Sequence, residues 1–168
     1  MSLQPLFKAQ AALDKYIVEK QRLKEISLSN MILAVIVELG EMSNDWGGFK
    51  HWKVNPQPKE GLLGEIADVL SFILAIGNML HHRKLTNFFE PEQNQWELCS
   101  YDNITDQIIA LIADFTDLWS YGEIGNGYSM VITKFAILTE MLGFTWEQVE
   151  EAYYAKNKIN HERQEASY

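Results

Sequence analysis

The sequence predicts an all-α protein, a helical bundle of about six helices forming one domain over residues 1–168. Three observations carry this reading. The long apolar segments run at the period of an amphipathic helix, and strand-like alternation is sparse. Residues that start helices stand before them: Ser29 before the second segment, and Thr145 with Gln148 three residues on, a capping-box pattern, before the last. The chain has 168 residues, 47% of them apolar. That length suffices to bury roughly two-thirds of the unfolded surface without staples.

In order, the first helix covers 3–25, with Leu6, Ala9, Leu13 and Ile17 as its apolar stripe. The second begins after Ser29 and runs to 46. A loop follows, Gly47-Gly48-Phe49-Lys50-His51-Trp52-Lys53, closed by Pro56 and Pro58. The third helix covers 59–82. Residues 83–103 read as a polar excursion with aromatics. Helices over 104–120 and 129–142 come next, and the last runs from Thr145 to 161. The apolar stretch 62–80 has the length of a membrane span. It contains Glu65 and Asp68, which are costly at that depth, and so reads as a buried core helix.

The formal charge of −9 excludes a general nucleic-acid binder, which needs a basic footprint. An acidic chain handles phosphate only through metal ions or a local cationic cluster. The lone Cys99 makes neither an internal disulfide nor a Cys-rich zinc site, and residues 1–10 lack an apolar core of signal-peptide length. The expected compartment is the cytoplasm.

The central signal is Glu38-x-x-Glu41 on the second helix and Glu65-x-x-Asp68 on the third. Residues three apart on a helix are neighbours, with Cβ atoms roughly 5–6 Å apart. Glu65 and Asp68 share a stripe with Phe72, Ala75, Ile76 and Met79, which should face the core, and Glu38 follows a segment that is apolar nearly all round. Ordinary solvated acids do not sit on such faces. Four inward carboxylates repel one another, and divalent cations relieve that repulsion. Oxygen-only ligation suits Mg²⁺, with Mn²⁺ as a substitute, rather than zinc. A ferritin-like di-iron site is disfavoured because neither pair contains histidine.

A second pattern lies near the C-terminus. Lys156, Asn160 and Arg163 fall at i, i+4 and i+7, on one helix face. The row suits phosphate, which Arg engages bidentately. Read alone, it is equally an ordinary polar face whose cations compensate the helix dipole.

The carboxylate pattern, with Glu65 standing 24 positions after Glu41, resembles the metal-site signature of the all-α NTP pyrophosphatases. Further motifs resemble the dimeric dUTPase branch: Gln10-x-x-Leu13-Asp14-x-x-Ile17, Phe49-Lys50-His51-Trp52-Lys53, and Lys156-Asn157-x-x-Asn160-x-x-Arg163-Gln164 ending in Tyr168. Ser167 departs from the branch's usual glycine and Ser71 from its usual histidine. The resemblance implies a homodimeric enzyme cleaving dUTP to dUMP and pyrophosphate. Glu38 would accept the proton of the attacking water; Glu41, Glu65 and Asp68 would be principal metal ligands. Lys156, Asn160, Arg163 and Tyr168 would bind the triphosphate, the tail ordering over the nucleotide. A side-chain amide both donates and accepts, which makes Gln10 a fitting reader of uracil, with Asp14 beside it. Trp52 would cover the base, with Trp46 and Phe49 as alternatives, and Lys53 and Lys50 would reach phosphate. Trp96 and Trp119 are candidates for an interface. The histidine pair His81-His82 and the glycines at 122, 125 and 127 suggest only a helix end and a turn. Two rivals stay open: a related pyrophosphatase acting on dCTP or several nucleotides, and a non-enzymatic helical interaction protein.

Overall fold

The computed structural model describes residues 3–80, 93–122 and 127–166. Among them are seven helices and no strand: α1 (Gln4–Lys20), α2 (Leu28–Trp46), α3 (Leu62–Met79), α4 (Gln93–Cys99), α5 (Ile104–Tyr121), α6 (Gly127–Met141) and α7 (Trp146–Glu165). The expected all-α bundle is observed. The pairs 81–82 and 83–84 and the glycine at 125 lie outside the described residues.

The ends of the helices are set by local chemistry. Helix α1 stops at Lys20, before the expected 25, because Arg22 adopts a left-handed conformation (φ 54°). The Leu23 and Arg22 amides then donate back to the Val18 and Glu19 carbonyls, the paired bonds of a Schellman ending. Arginine is an unusual residue there, so composition gave no warning. Helix α2 is capped by Ser27 rather than Ser29: the Asn30 amide donates to Ser27 Oγ at 3.1 Å. Ser29 instead lies within the helix and accepts from Trp119 Nε1. Gly47 (φ 71°) closes α2 in a conformation that glycine adopts without strain. The Thr145–Gln148 capping box opens α7 as expected, but the helix continues to Glu165, carrying Arg163 and Gln164 with it.

Helix α3 is the hub. It touches α1, α2, α6 and α7, and its most extensive contact is with α2. It is also, among the described residues, the one helix long and apolar enough to cross a membrane, and 67% of it is buried within the protein. Ile66, Ile73 and Ile76 meet Val35, Leu39 and Met42 of α2, Leu6 and Phe7 of α1, and Val149 and Tyr153 of α7 in one cluster. Truncating any of these large aliphatic side chains costs about 2–5 kcal/mol. Close approach is achieved at Gly77, where a Cβ would lie 2.1 Å from the Tyr128 hydroxyl. That hydroxyl donates to the Ile73 carbonyl at 2.7 Å.

Helix α4 lies inside the segment read as a polar excursion. Seven residues are too few to show a period, and tertiary contacts hold them. Gln107 of α5 donates to the carbonyls of Cys99 and Lys134 and accepts from the Tyr101 amide.

Candidate active site

Helical register decides which carboxylates turn inward. The buried stripe of α2 is Ile32, Val35, Leu39 and Met42. Glu38 flanks it and is half-buried, whereas Glu41, a further turn toward solvent, is exposed. On α3, Glu65 and Asp68 sit on the stripe that continues through Phe72 and Ala75, as expected. Packing α2 on α3 brings one oxygen each of Glu38, Glu65 and Asp68 within 4.8 Å of one another. Glu41 stands outside this group.

The electrostatics follow from the crowding. Burial pushes the Glu38 carboxyl up to about 7, reinforced by the charges of Asp68, Glu41 and Glu65 and opposed by Lys156. Glu65 is raised for the same reasons, burial first and Asp68 next. One cation is supplied by the protein. Lys156 of α7 reaches across and donates from Nζ to Asp68 Oδ2. One lysine against three carboxylates leaves the group short of positive charge. The donors are all carboxylate oxygens, and their spacing suits hard cations bound at about 2.0–2.6 Å. The donor set therefore fits a metal ion.

Asp68 also lines a cavity of about 390 Å³. Gln10 and Asp14 enter it from α1, Ser71 from α3, and Asn160 and Arg163 from α7, with Leu13, Met31 and Phe72 as apolar wall. Five residues singled out from sequence thus meet in one space although they span residues 10 to 163. Gln10 is buried and donates from Nε2 to Asp14 Oδ1 at 2.7 Å. Burial pushes the Asp14 carboxyl up to about 6, partly offset by that hydrogen bond. Ser71, in the place where histidine was expected, donates to the Ala67 carbonyl and leaves the cavity wall small. The segment expected to order over nucleotide is already helical through Glu165.

The loop residues are placed differently. Trp52 is 64% exposed, its ring edge-on to Phe49 and His51, and neither Trp52 nor the exposed Lys53 lines the cavity. Lys50 donates to the Asn44 carbonyl. Trp46 is half-buried and packs against the core. Tyr168 lies outside the described residues. The turn glycines Gly122 and Gly127 line a second cavity of about 290 Å³ with Asp114 and Asp117, acids unsuited to a phosphate loop. Sequence reasoning overlooked Tyr153, which contacts Gln10 from α7, and gave no role to Asn157, which donates to the Tyr153 hydroxyl. The signal was the i, i+4, i+8 row Val149, Tyr153, Asn157, the core face of that helix.

Half-buried carboxylates on two helices, with Lys156 of a third paired to one of them and Arg163 on the adjoining cavity, make an all-α site suited to a metal ion and a phosphorylated ligand. The particular family comes from comparison. A family model described as dUTPase matches residues 2–168, and the chain belongs to this dUTPase family. No curated protein matches the chain.

Proposed function

We propose that the chain hydrolyses dUTP to dUMP and pyrophosphate, using Mg²⁺ or Mn²⁺ held by Glu38, Glu65 and Asp68, with Glu41 as the solvent-side carboxylate of the same set. The observation that carries the proposal is the convergence of three carboxylate oxygens within 4.8 Å beside a cavity that Arg163 also lines. A bound divalent ion supplies charge neutralisation for the triphosphate and a nucleophile at neutral pH. Glu38, half-buried among the other carboxylates, is the residue this reading assigns to accept the proton of the attacking water. Lys156, Asn160 and Arg163 form the phosphate-binding row, and Lys156 exchanges Asp68 for phosphate oxygen when substrate enters. Gln10 and Asp14 read the base edge. Trp52 and Lys53 act from the loop, Trp52 covering the base and Lys53 reaching phosphate, and Tyr168 helps to close the site.

The working unit in this proposal is a homodimer of single-domain chains. Leu33 and Val37 on α2 and Ile109 and Trp119 on α5 are 63%, 49%, 58% and 60% exposed. Their exposure on two helices that pack together supports association through this face. A buried, unpaired Cys99 accords with a reducing compartment such as the cytoplasm.

The test is pyrophosphate release from dUTP, dCTP, dTTP and dATP side by side, with Mg²⁺ and with excess EDTA. The expected result is a large preference for dUTP in kcat/KM, since a site built for one base edge leaves buried groups unpaired with another. Activity should vanish in EDTA. Comparable rates on dUTP and dCTP favour a broader pyrophosphatase, and full activity in EDTA overturns the metal site.

A further inference from the structure

We propose that Tyr153 is a positioning residue for pyrimidine choice: its buried hydroxyl, set between Asn157 and Gln10, acts with Asp14 to hold the Gln10 amide in one of its two orientations. The inference rests on reading Gln10 and Asp14 as the base site.

A glutamine amide is nearly symmetric in shape, with an acceptor at one corner and two donors at the other, so only its neighbours decide which way it faces. Two neighbours, Asp14 and Tyr153, together favour one orientation here. Tyr153 is 0% exposed. Its hydroxyl accepts from Asn157 Nδ2 at 3.4 Å and lies 3.1 Å from Gln10 Oε1, with the Leu6 carbonyl at 3.3 Å. The hydroxyl carries one proton, which it can give to Gln10 Oε1 or to the Leu6 carbonyl. Burial, followed by the nearby charge of Asp14, pushes its ionisation further up and keeps the proton in place. An ionised Asp14 only accepts, so Gln10 Nε2 turns to it at 2.7 Å and Oε1 is left facing the Tyr153 hydroxyl, which donates to it. The run Asn157, Tyr153, Gln10, Asp14 points every proton the same way, from the interior of α7 toward the cavity.

That order matters chemically. An ionised Asp14 only accepts hydrogen bonds, and the locked Gln10 amide presents donors beside it. Donor next to acceptor complements uracil, whose O4 accepts and whose N3–H donates. Cytosine in the same pose presents the reverse, an exocyclic donor and a bare N3 acceptor. An amide free to turn over would offer its oxygen to that exocyclic amine and weaken the distinction. Helix α7 thus acts on both ends of the substrate. Its Lys156, Asn160 and Arg163 row serves the phosphates, and its Tyr153 and Asn157 row orients the base reader on α1.

The test compares Tyr153→Phe, Asn157→Leu and Gln10→Ala for kcat/KM on dUTP and dCTP, with thermal melting of each. Tyr153→Phe keeps the buried ring and removes the proton that helps to fix the amide. The dUTP-to-dCTP ratio should fall roughly two- to tenfold, the scale of one hydrogen bond. Asn157→Leu should lower the ratio in the same direction, and it decides the matter if Tyr153→Phe fails to fold. A purely structural role would lower melting while leaving the ratio untouched, and that result overturns the inference. An unchanged ratio in Tyr153→Phe with a reduced ratio in Gln10→Ala overturns the role of Tyr153 alone. An unchanged ratio in Gln10→Ala overturns the base-site reading and this inference with it.

Discussion

Lys134 on α6 and Lys156 on α7 each reach back to an aspartate on an earlier helix, Asp114 on α5 and Asp68 on α3. The Lys134 side chain is 5% exposed, and its Nζ lies 2.8 Å and 2.7 Å from the two Asp114 oxygens, near the ring of Tyr101. One cation meets one principal anion there. Burial raises the Asp114 carboxyl, and Lys134 opposes the rise. The Lys156–Asp68 pair is chemically identical but lies among Glu38 and Glu65 and opens on a cavity. Balanced charge makes a structural tie, even where Asp114 lines a cavity. Excess carboxylate in an accessible place makes a site that attracts cations.

The sharpest way to break this comparison is to remove a charge from each cluster. Glu38→Gln should lower kcat by about 10²–10⁴-fold, the range for loss of a general base. Metal-free melting should hold or rise, because repulsion is relieved. Steady-state kinetics and calorimetry check both, and a wild-type kcat in this variant would mean that the surplus charge has no catalytic use. Asp114→Asn should do the opposite. It strands a buried ammonium and should cost about 3–5 kcal/mol of stability, read by urea unfolding, while KM for dUTP in the folded protein stays unchanged.

A smaller effect separates the two faces of α7. Arg163→Ala should weaken nucleotide binding by about 1.5–3 kcal/mol, the scale of hydrogen bonds to a charged group. Lys158→Ala, which removes an exposed pair with Glu162 at 4.0 Å, should change binding and stability by less than about 0.5 kcal/mol. Calorimetric titration with a non-hydrolysable dUTP analogue measures both, and equal losses would show that the Arg163 face is not special.

A further effect is a pH dependence at Asp14. Its folded-state pKa of about 6 lies above the ordinary value of 3.8. Its contribution to stability is therefore fully present below about 3.8 and lost as pH rises through about 6. Between pH 4 and pH 7.5, wild type should lose more of its melting temperature than Asp14→Asn does. Parallel curves would show that the carboxyl is not desolvated in the folded state.

Much of this arrangement was legible before any coordinates. The three-residue spacing of Glu65 and Asp68 on an apolar stripe placed them inward, and the i, i+4, i+7 row put Asn160 and Arg163 on one face. Other features were not legible. Ser27 and Ser29 are equally good caps on paper, and only the approach of Trp119 gives Ser29 another partner. Arg22 in a left-handed turn and the short helix α4 follow from tertiary fit. Trp52 and Lys53 carry a suggestive motif, but a loop has no register from which their direction can be read.

The sequence by itself determined the six long helices, the capping box at Thr145 and the inward aspect of Glu65 and Asp68, because these depend on partners within about four residues, which helical geometry brings together unaided. The tertiary structure decided that Glu38 joins the carboxylate group while Glu41 stays outside, that Lys156 meets an aspartate 88 residues away, and that Tyr153 holds an amide 143 residues away. Those contacts exist only once α1, α2, α3 and α7 have buried their apolar faces against one another, and local periodicity does not encode the angle or the depth of that packing.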